Sequence, residues 1–522
     1  MTYKTTTPSE SDSEPFPFSK IRLFITFLVF ALIYVAVRYP LRDLTLAYYD
    51  DGETLYHALC ALQGKIPYRD DINHHFYGYI IPYIIFAKFF GISTDLLSIV
   101  STLHQSLTAI GVMLCSSLFV SYPWAILSGL LALLAREPYV FGYQPPYQVN
   151  TFWIWVLYGC LRYIRTEKTG FLLLSCALAG IAATFDQRAL LVVLIPIATS
   201  LLVSSGSLKS WTLAFLFYIF VPACALFYLK THDALKPFFE QTWIYPRQFR
   251  AGSFDLGEIF RSGIEAHKYL FTESPLLFLA FLFGLVYLIR FKNHSKEKFL
   301  LLISIVPQMA FSFSGSRDYS YYTATWLPYL SLLAILPACK FRKFSNIGRA
   351  SFLILSCGTI FLAIVGSINL SISRTPYRGD GAIEVSQYLE SQMQPTDTLY
   401  VWGYRFDPYI YLNRCSNLAF GSRIFIHPDD QITTEREKHI YPKYEEMFAY
   451  QMKNNSPDYV VVFKYDKKLV LTSPSEALLF SILDNCYLQT HQVDSVDFRG
   501  VATTFTVFKK IEVKDEILTS CG

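Results

Sequence analysis

YYDDGETLYHALCALQGKIPYRDDINHHFY, residues 48–77, is the stretch on which the reading of this chain turns. It holds Asp50, Asp51, Glu53, Asp70 and Asp71 together with His57, His74 and His75, five carboxylates and three imidazoles within 26 positions. Directly before it runs IRLFITFLVFALIYVAV, residues 21–37, apolar and long enough to cross a bilayer. Ionisable groups beside a membrane are costly unless they face water or do chemistry. The segment over residues 40–97 therefore reads as an active-site loop, and the rest of the chain as its scaffold.

Composition supports that frame. With 52% hydrophobic, 17% aromatic and only 16% charged residues in 522, the chain is too apolar for a soluble protein of its size. Repeated apolar runs near the spanning length make it a polytopic helical membrane protein. A net charge of +4, unclustered, gives no case for a nucleic-acid partner. Six of the ten cysteines lie in apolar runs and read as inert packing residues. Cys60, Cys415, Cys486 and Cys521 are scattered without a CxxC, which indicates neither a zinc site nor a disulfide framework, although a Cys415–Cys486 bridge stays open. Residues 1–20, rich in Ser, Thr and Pro, read as a disordered cytoplasmic tail.

Spanning runs fall at about 21–39, 98–120, 122–136, 148–165, 170–185, 188–206, 211–229, 273–292, 298–314, 321–339 and 350–369. A twelfth apolar run, YGYIIPYIIFAKFFG at 77–91, is short and carries Pro82 and Lys88. Leaving it out puts the basic turns RYIRTEK, RFKNHSKEK and KFRKFSNIGR all on the cytoplasmic side, as the positive-inside rule asks. The expectation is about eleven transmembrane helices, with 77–91 an amphipathic helix along the outer interface. The acidic loop, the polar corners and everything after residue 370 then share one extracytoplasmic face, the N-terminus lying inside the plasma (inner) membrane. Residues 371–522 shift to a more polar composition with strand-like runs TLYVWG (398–403), DYVVVF (458–463) and, more weakly, FTVF (505–508), between helical stretches such as GAIEVSQYLESQM. That predicts a small extracytoplasmic α/β domain behind a transmembrane domain of residues 21–370.

Moving a sugar from a phosphate-linked donor to a hydroxyl needs a base for the hydroxyl proton and positive charge near the departing phosphate. A carboxylate just outside a membrane helix, partly desolvated, suits the first task. The pattern D-[DE]-G…L-x-G-x-x-P-Y-x-D…H after the first apolar helix resembles the GT-C glycosyltransferases of the family 39 type, among them protein O-mannosyltransferases and lipid A aminoarabinose transferases. The resemblance runs through Asp50, Asp51, Gly52, Gly64, Pro67, Tyr68 and Asp70 to His74 or His75. More weakly it extends to FDQR (185–188), QTWIYPR (241–247), SRDYSYY (316–322) and the tail. It implies a GT-C-like fold, a polyprenyl-phosphate sugar donor, an acceptor hydroxyl on lipid, glycan or protein, and in-line displacement with Asp50 as the catalytic base. Two departures stand out: Asp51 replaces the usual Glu, and HHFYG replaces a proline-rich turn.

Each candidate also has a plainer reading. Asp50, Asp51 and Glu53 would serve equally as caps or first-turn charges of the helix that follows. Asp50, Asp70 and His75 are the candidate ligands for a divalent metal, with a hydrogen-bond network as the alternative. Arg188 and Arg317 are candidates to hold the donor phosphate; snorkelling, or pairing with Asp186 and Asp318, would explain them otherwise. Asp51, His74, His75 and Tyr322 complete the candidate substrate-binding set. His104, inside an apolar helix, reads as a packing residue. A transporter or flippase would show polar groups at mid-helix and an inverted repeat, whereas the charges here sit at helix ends and no repeat is found. A catalytically inactive membrane scaffold is the other alternative, and the Asp51 and HHFYG departures are its signature.

Overall fold

In the computed structural model the described residues are 19–38, 49–135, 145–203, 208–246, 256–290, 294–313, 320–343, 345–374, 381–423, 426, 442–465, 473–496 and 501–511. The chain is mostly helical, with one small sheet near the C-terminus.

Apolar runs become helices because a backbone among apolar side chains must satisfy its own hydrogen bonds. The chain opens with α1 (Lys20–Arg38), α2 (Tyr49–Leu62), a 3₁₀ turn (Tyr77–Ile80) leading into α3 (Ile81–Phe90), α4 (Thr94–Ser117) and α5 (Tyr122–Leu134). It continues with α6 (Pro145–Thr166), α7 (Thr169–Ala182), a 3₁₀ turn (Gln187–Val193), α8 (Leu194–Val203) and α9 (Leu208–Thr231). Every expected spanning run has a helical counterpart. Among the described residues, five helices are long and apolar enough by themselves to cross a membrane, six if one bent pair counts as a span. The remainder are shorter or broken, such as Ser295–Ile303 followed by Ile305–Ser312, or, like the 22-residue α6, less uniformly apolar.

The scaffold's centre is α4, packed on α1, α5 and α6, with the helix Trp326–Ile335 against α5 and Pro275–Arg290. α4 and the segment Tyr322–Lys340 are largely buried, whereas α1, α9 and the helix from Asn346 show most of their surface. That division places an apolar rim around a packed interior. His104 is indeed interior, hydrogen-bonded to Thr151 at 3.0 Å. In α3, Ile81, Ile85 and Phe89, spaced by four, turn outward while Tyr83 and Ala87 turn in, the one-sided pattern expected of an interfacial helix.

Residues 230–272, which fall between the expected spanning runs 211–229 and 273–292, are themselves structured where they are described. They hold the helix Leu235–Phe239, a π turn Glu240–Ile244 and the amphipathic helix Leu256–Glu273, bent 106° from Pro275–Arg290. Leu256, Phe260, Ile264 and Phe271 stand outward on that helix.

The C-terminal region builds a four-stranded sheet in the order β1-β2-β4-β3. The three anticipated strands are β1 (Leu399–Trp402), β2 (Tyr459–Tyr465) and β4 (Ala502–Lys510). β1 runs parallel to β2, and β4 lies antiparallel to both β2 and β3. The missed strand is β3 (Tyr487–Val496), YLQTHQVDSV, an edge strand with a register shift at Gln489/His491. Its face is mostly polar, so no hydrophobic alternation announces it. Just after β1, Arg405 and Asp407 form a buried ion pair beside Phe463 of β2 and Phe505 of β4.

The Cys415–Cys486 bridge that the sequence left open does not form: Cys415 bridges Cys60 at the end of α2, across 355 residues. Cys486 is also disulfide-bonded.

Candidate functional site

The site grows from α2. Three residues of its sequence, Glu53, His57 and Cys60, fall at spacings of four and three and so share one side of the helix. After Leu62 the chain must reverse, and Gly64 at φ +87° makes that left-handed turn without steric cost. Tyr68 follows at φ 66°, a conformation unusual for a bulky residue, held from several sides. Its N–H donates to the Asp71 carbonyl at 2.8 Å, its hydroxyl donates to the His75 carbonyl at 2.9 Å, and its own carbonyl accepts from Gln241 Nε2 at 2.7 Å. Gln241 Oε1 also accepts from the Asn73 N–H at 3.0 Å. The QTWIYPR segment therefore fastens the loop through Gln241, while Phe238 packs on the Tyr68 and Phe76 rings.

That folding brings His57 between two carboxylates. Its Nδ1 donates to Asp71 Oδ2 at 2.6 Å, and its Nε2 faces Glu53 Oε1 at 3.4 Å. All three side chains are buried. Burial by itself would lower the His57 pKa, but the Asp71 carboxylate, and then Glu53, raise it to about 9, so the ring is an imidazolium at neutral pH. Burial would raise Glu53, yet the hydrogen bond with His57 and the neighbouring His74 and His75 rings hold it down at about 2. Glu53 is the hub of the cluster: His74 Nδ1 lies 3.8 Å from Oε1, and the Tyr404 hydroxyl donates to Oε2 at 3.0 Å.

The expected site residues divide accordingly. His74 and His75 enter the cluster, their rings 3.8 Å apart. His75 groups with Glu53 and His74, with candidate ligand atoms all within 4.8 Å of one another. Asp70 instead grips the Arg69 guanidinium at 2.8 Å and accepts from the Ile66 N–H at 3.0 Å, bonds that hold its carboxyl below the usual range. Asp51 is buried in the first turn of α2. Asp50 begins the same turn, three residues before Glu53, and its side chain lies outside the described residues. Arg317, Asp318 and Arg247 also lie outside the described residues.

Arg188 and Tyr322, far apart in sequence, do meet. Asp186 caps the 3₁₀ turn by accepting from the Arg188 N–H at 2.8 Å, and grips the guanidinium through Nε at 2.8 Å and Nη2 at 2.6 Å. The guanidinium carbon sits 4.2 Å from the ring centres of both Phe311 and Tyr322, sandwiched between them. Burial would raise the Asp186 carboxyl, but Arg188 and, more weakly, the nearby His75 hold it below its usual value. The arginine corner is thus electrostatically linked to the α2 cluster.

Sequence reasoning passed over Glu53 as the hub, Tyr404, Gln241 and Lys65. The Glu53/His57 spacing was a usable signal; the others are brought in by tertiary structure alone. Lys65 donates to the carbonyls of Ser416 and Leu418, Gln63 exchanges hydrogen bonds with the backbone at Asn413 and Cys415, and the Ile72 N–H donates to the Ala419 carbonyl at 2.9 Å. With the Cys60–Cys415 bridge, these fasten the segment 413–419, which follows β1, onto the loop.

No family model matches the chain, and no curated protein matches it. Among solved structures, ArnT from Cupriavidus metallidurans bound to undecaprenyl phosphate matches with a TM-score of 0.56 and 13% identity, over 93% of this chain and 97% of that one. The same protein in the apo state matches with a TM-score of 0.55 and 15% identity over the same shares. The archaeal oligosaccharyltransferase AglB from Archaeoglobus fulgidus, in complex with an inhibitory peptide and a dolichol-phosphate, gives 0.46 and 13% identity, over 84% of this chain and 69% of that one. Across nearly its whole length, then, the chain has the GT-C fold that its first acidic loop resembles.

Proposed function

We propose that this chain is an integral membrane glycosyltransferase that moves a monosaccharide from a polyprenyl-phosphate donor to an acceptor hydroxyl on a lipid, glycan or protein. The observation that carries the reading is the buried carboxylate–imidazole cluster built on α2, the helix whose first turn includes Asp50, in a chain whose fold matches a protein seen with undecaprenyl phosphate. About eleven membrane helices, a cytoplasmic N-terminus and an outer-face site complete it.

In the proposed reaction Asp50 accepts the proton of the acceptor hydroxyl. The freed oxygen attacks the anomeric carbon as the bond to the phosphate oxygen breaks, inverting that carbon. The polyprenyl phosphate leaves with the bonding electron pair and its added negative charge. Arg188, steadied by Asp186 and two aromatic faces, supplies positive charge beside it, as preorganised cations do for departing phosphates. Arg317 is proposed in the same role, and Asp51 and Tyr322 as lining of the donor site.

Asp50→Asn removes the base while keeping size. In membranes supplied with radiolabelled polyprenyl-phosphate sugars, the variant loses transfer by a factor on the order of 10²–10⁴. Undiminished transfer by a folded variant overturns the mechanism.

A further inference from the structure

We propose that Glu53, His74 and His75 form a binding site for one divalent transition-metal ion, of which Zn²⁺ is the best fit. Two imidazoles and a carboxylate are the donor set that zinc and its neighbours in the first row favour over magnesium or calcium. The candidate ligand atoms already lie within 4.8 Å of one another. Contraction by roughly 1–1.5 Å brings them to the ~3.3 Å spacing that tetrahedral bonds of about 2.0–2.1 Å require.

Three further features support an ion here over a simple imidazolium–carboxylate contact. The first is the shell behind Glu53. His57 holds Oε1 from behind at 3.4 Å and Tyr404 holds Oε2 at 3.0 Å, while Asp71 at 2.6 Å orients His57. Metal-ligating carboxylates are oriented by outer hydrogen bonds of this kind.

The second is the backbone that presents the histidines. The His75 N–H donates to Asn73 Oδ1 at 2.8 Å and its carbonyl accepts from Tyr68, so consecutive histidines are fixed in an irregular segment rather than left on a mobile loop.

The third is convergence. The His74 and His75 rings lie 3.8 Å apart and His74 Nδ1 is 3.8 Å from Glu53 Oε1, so two imidazoles and a carboxylate bring their donor atoms to one small volume.

The site differs from the Asp50, Asp70 and His75 set, since Asp70 is committed to Arg69. It does not depend on Asp50 being the base, so the two proposals fail separately.

The test uses the full chain in detergent or nanodiscs, stripped of metal with a chelator and then titrated with Co²⁺ and Zn²⁺. Expected is one Co²⁺ per chain with visible d–d absorption, displaced by Zn²⁺, and a raised melting temperature with Zn²⁺. The His74→Ala/His75→Ala double variant and Glu53→Gln each bind at least about tenfold more weakly. Tyr404→Phe, which removes only an outer hydrogen bond, weakens binding by roughly ten- to a hundredfold while retaining one ion per chain. Folding of each variant is checked by an intact Cys60–Cys415 bridge and by elution as a single species. No Co²⁺ spectrum together with a melting temperature unmoved by millimolar Zn²⁺ overturns the proposal. So does unchanged binding by the folded double-histidine variant. Metal binding by a chain that shows no sugar transfer would leave the site standing and count against the enzymatic reading alone.

Discussion

Asp71→Asn tests the electrostatic account of the loop most directly. The substitution keeps shape and removes the charge that faces His57 Nδ1 at 2.6 Å. His57 moves from an ordinary 6.5 to about 9 on folding. At ~1.4 kcal/mol for each tenfold change in proton affinity, that difference is worth about 3 kcal/mol. Breaking one partner of a buried ion pair independently costs about 3–5 kcal/mol, so the two routes agree. The sign follows from the direction of the shift. A raised pKa stabilises fully below pH 6.5, and the contribution fades as pH rises through about 9. Glu53, held low, sets the acid side: its contribution is complete above its ordinary 4.5 and fades only as pH falls towards about 2. Global unfolding of a polytopic protein is not two-state, so the assay is native-state hydrogen exchange of the amides over residues 57–75. Compared with the unmodified chain at the same pH, Asp71→Asn lowers their protection by up to roughly a hundredfold at pH 6. The gap narrows steadily towards pH 10. Equal protection at pH 6, or a gap that widens with pH, refutes the reasoning.

Two further outcomes follow from the packing. Reducing the Cys60–Cys415 bridge, or replacing both cysteines by serine, removes the covalent tie between α2 and the C-terminal domain. The loss is typically about 2–4 kcal/mol and shows as faster protease cleavage between the domains; rates independent of reductant contradict it. Gly78→Ala puts a Cβ 2.3 Å from the Thr184 carbonyl oxygen, which also accepts the Gly78 N–H at 2.9 Å. Overpacking of this kind costs about 1–3 kcal/mol, and a melting temperature equal to the parent's would show that the two segments separate freely.

Much of the architecture was legible before any coordinates. Apolar runs near 20 residues admit few conformations, because a chain in hydrocarbon has no water to satisfy its backbone. The helical counterpart of each expected span follows from that. β1, β2 and β4 carried their own β-branched and aromatic signals, whereas β3 takes its shape from its partner β4 and had none. The helix Leu256–Glu273 hid within a presumed loop because its apolar positions cover one face only.

Local spacing was enough to mark the acidic loop as special and to put Glu53 and His57 on one helical face. It left open which carboxylate pairs with which histidine. The Asp71–His57 contact spans 14 residues around a reversal at Gly64 and Tyr68, Tyr404 reaches Glu53 from 351 residues away, and Cys415 chooses Cys60 over Cys486 from 355. Such pairings are decided by how distant segments pack, and no period or motif encodes them, because a side chain's partners depend on proximity that chain separation does not set. Helices and strands arise from neighbours in sequence; the charge network at this site needs the reversal that returns Asp71 and His74 to α2, and the packing of the C-terminal region that adds Tyr404.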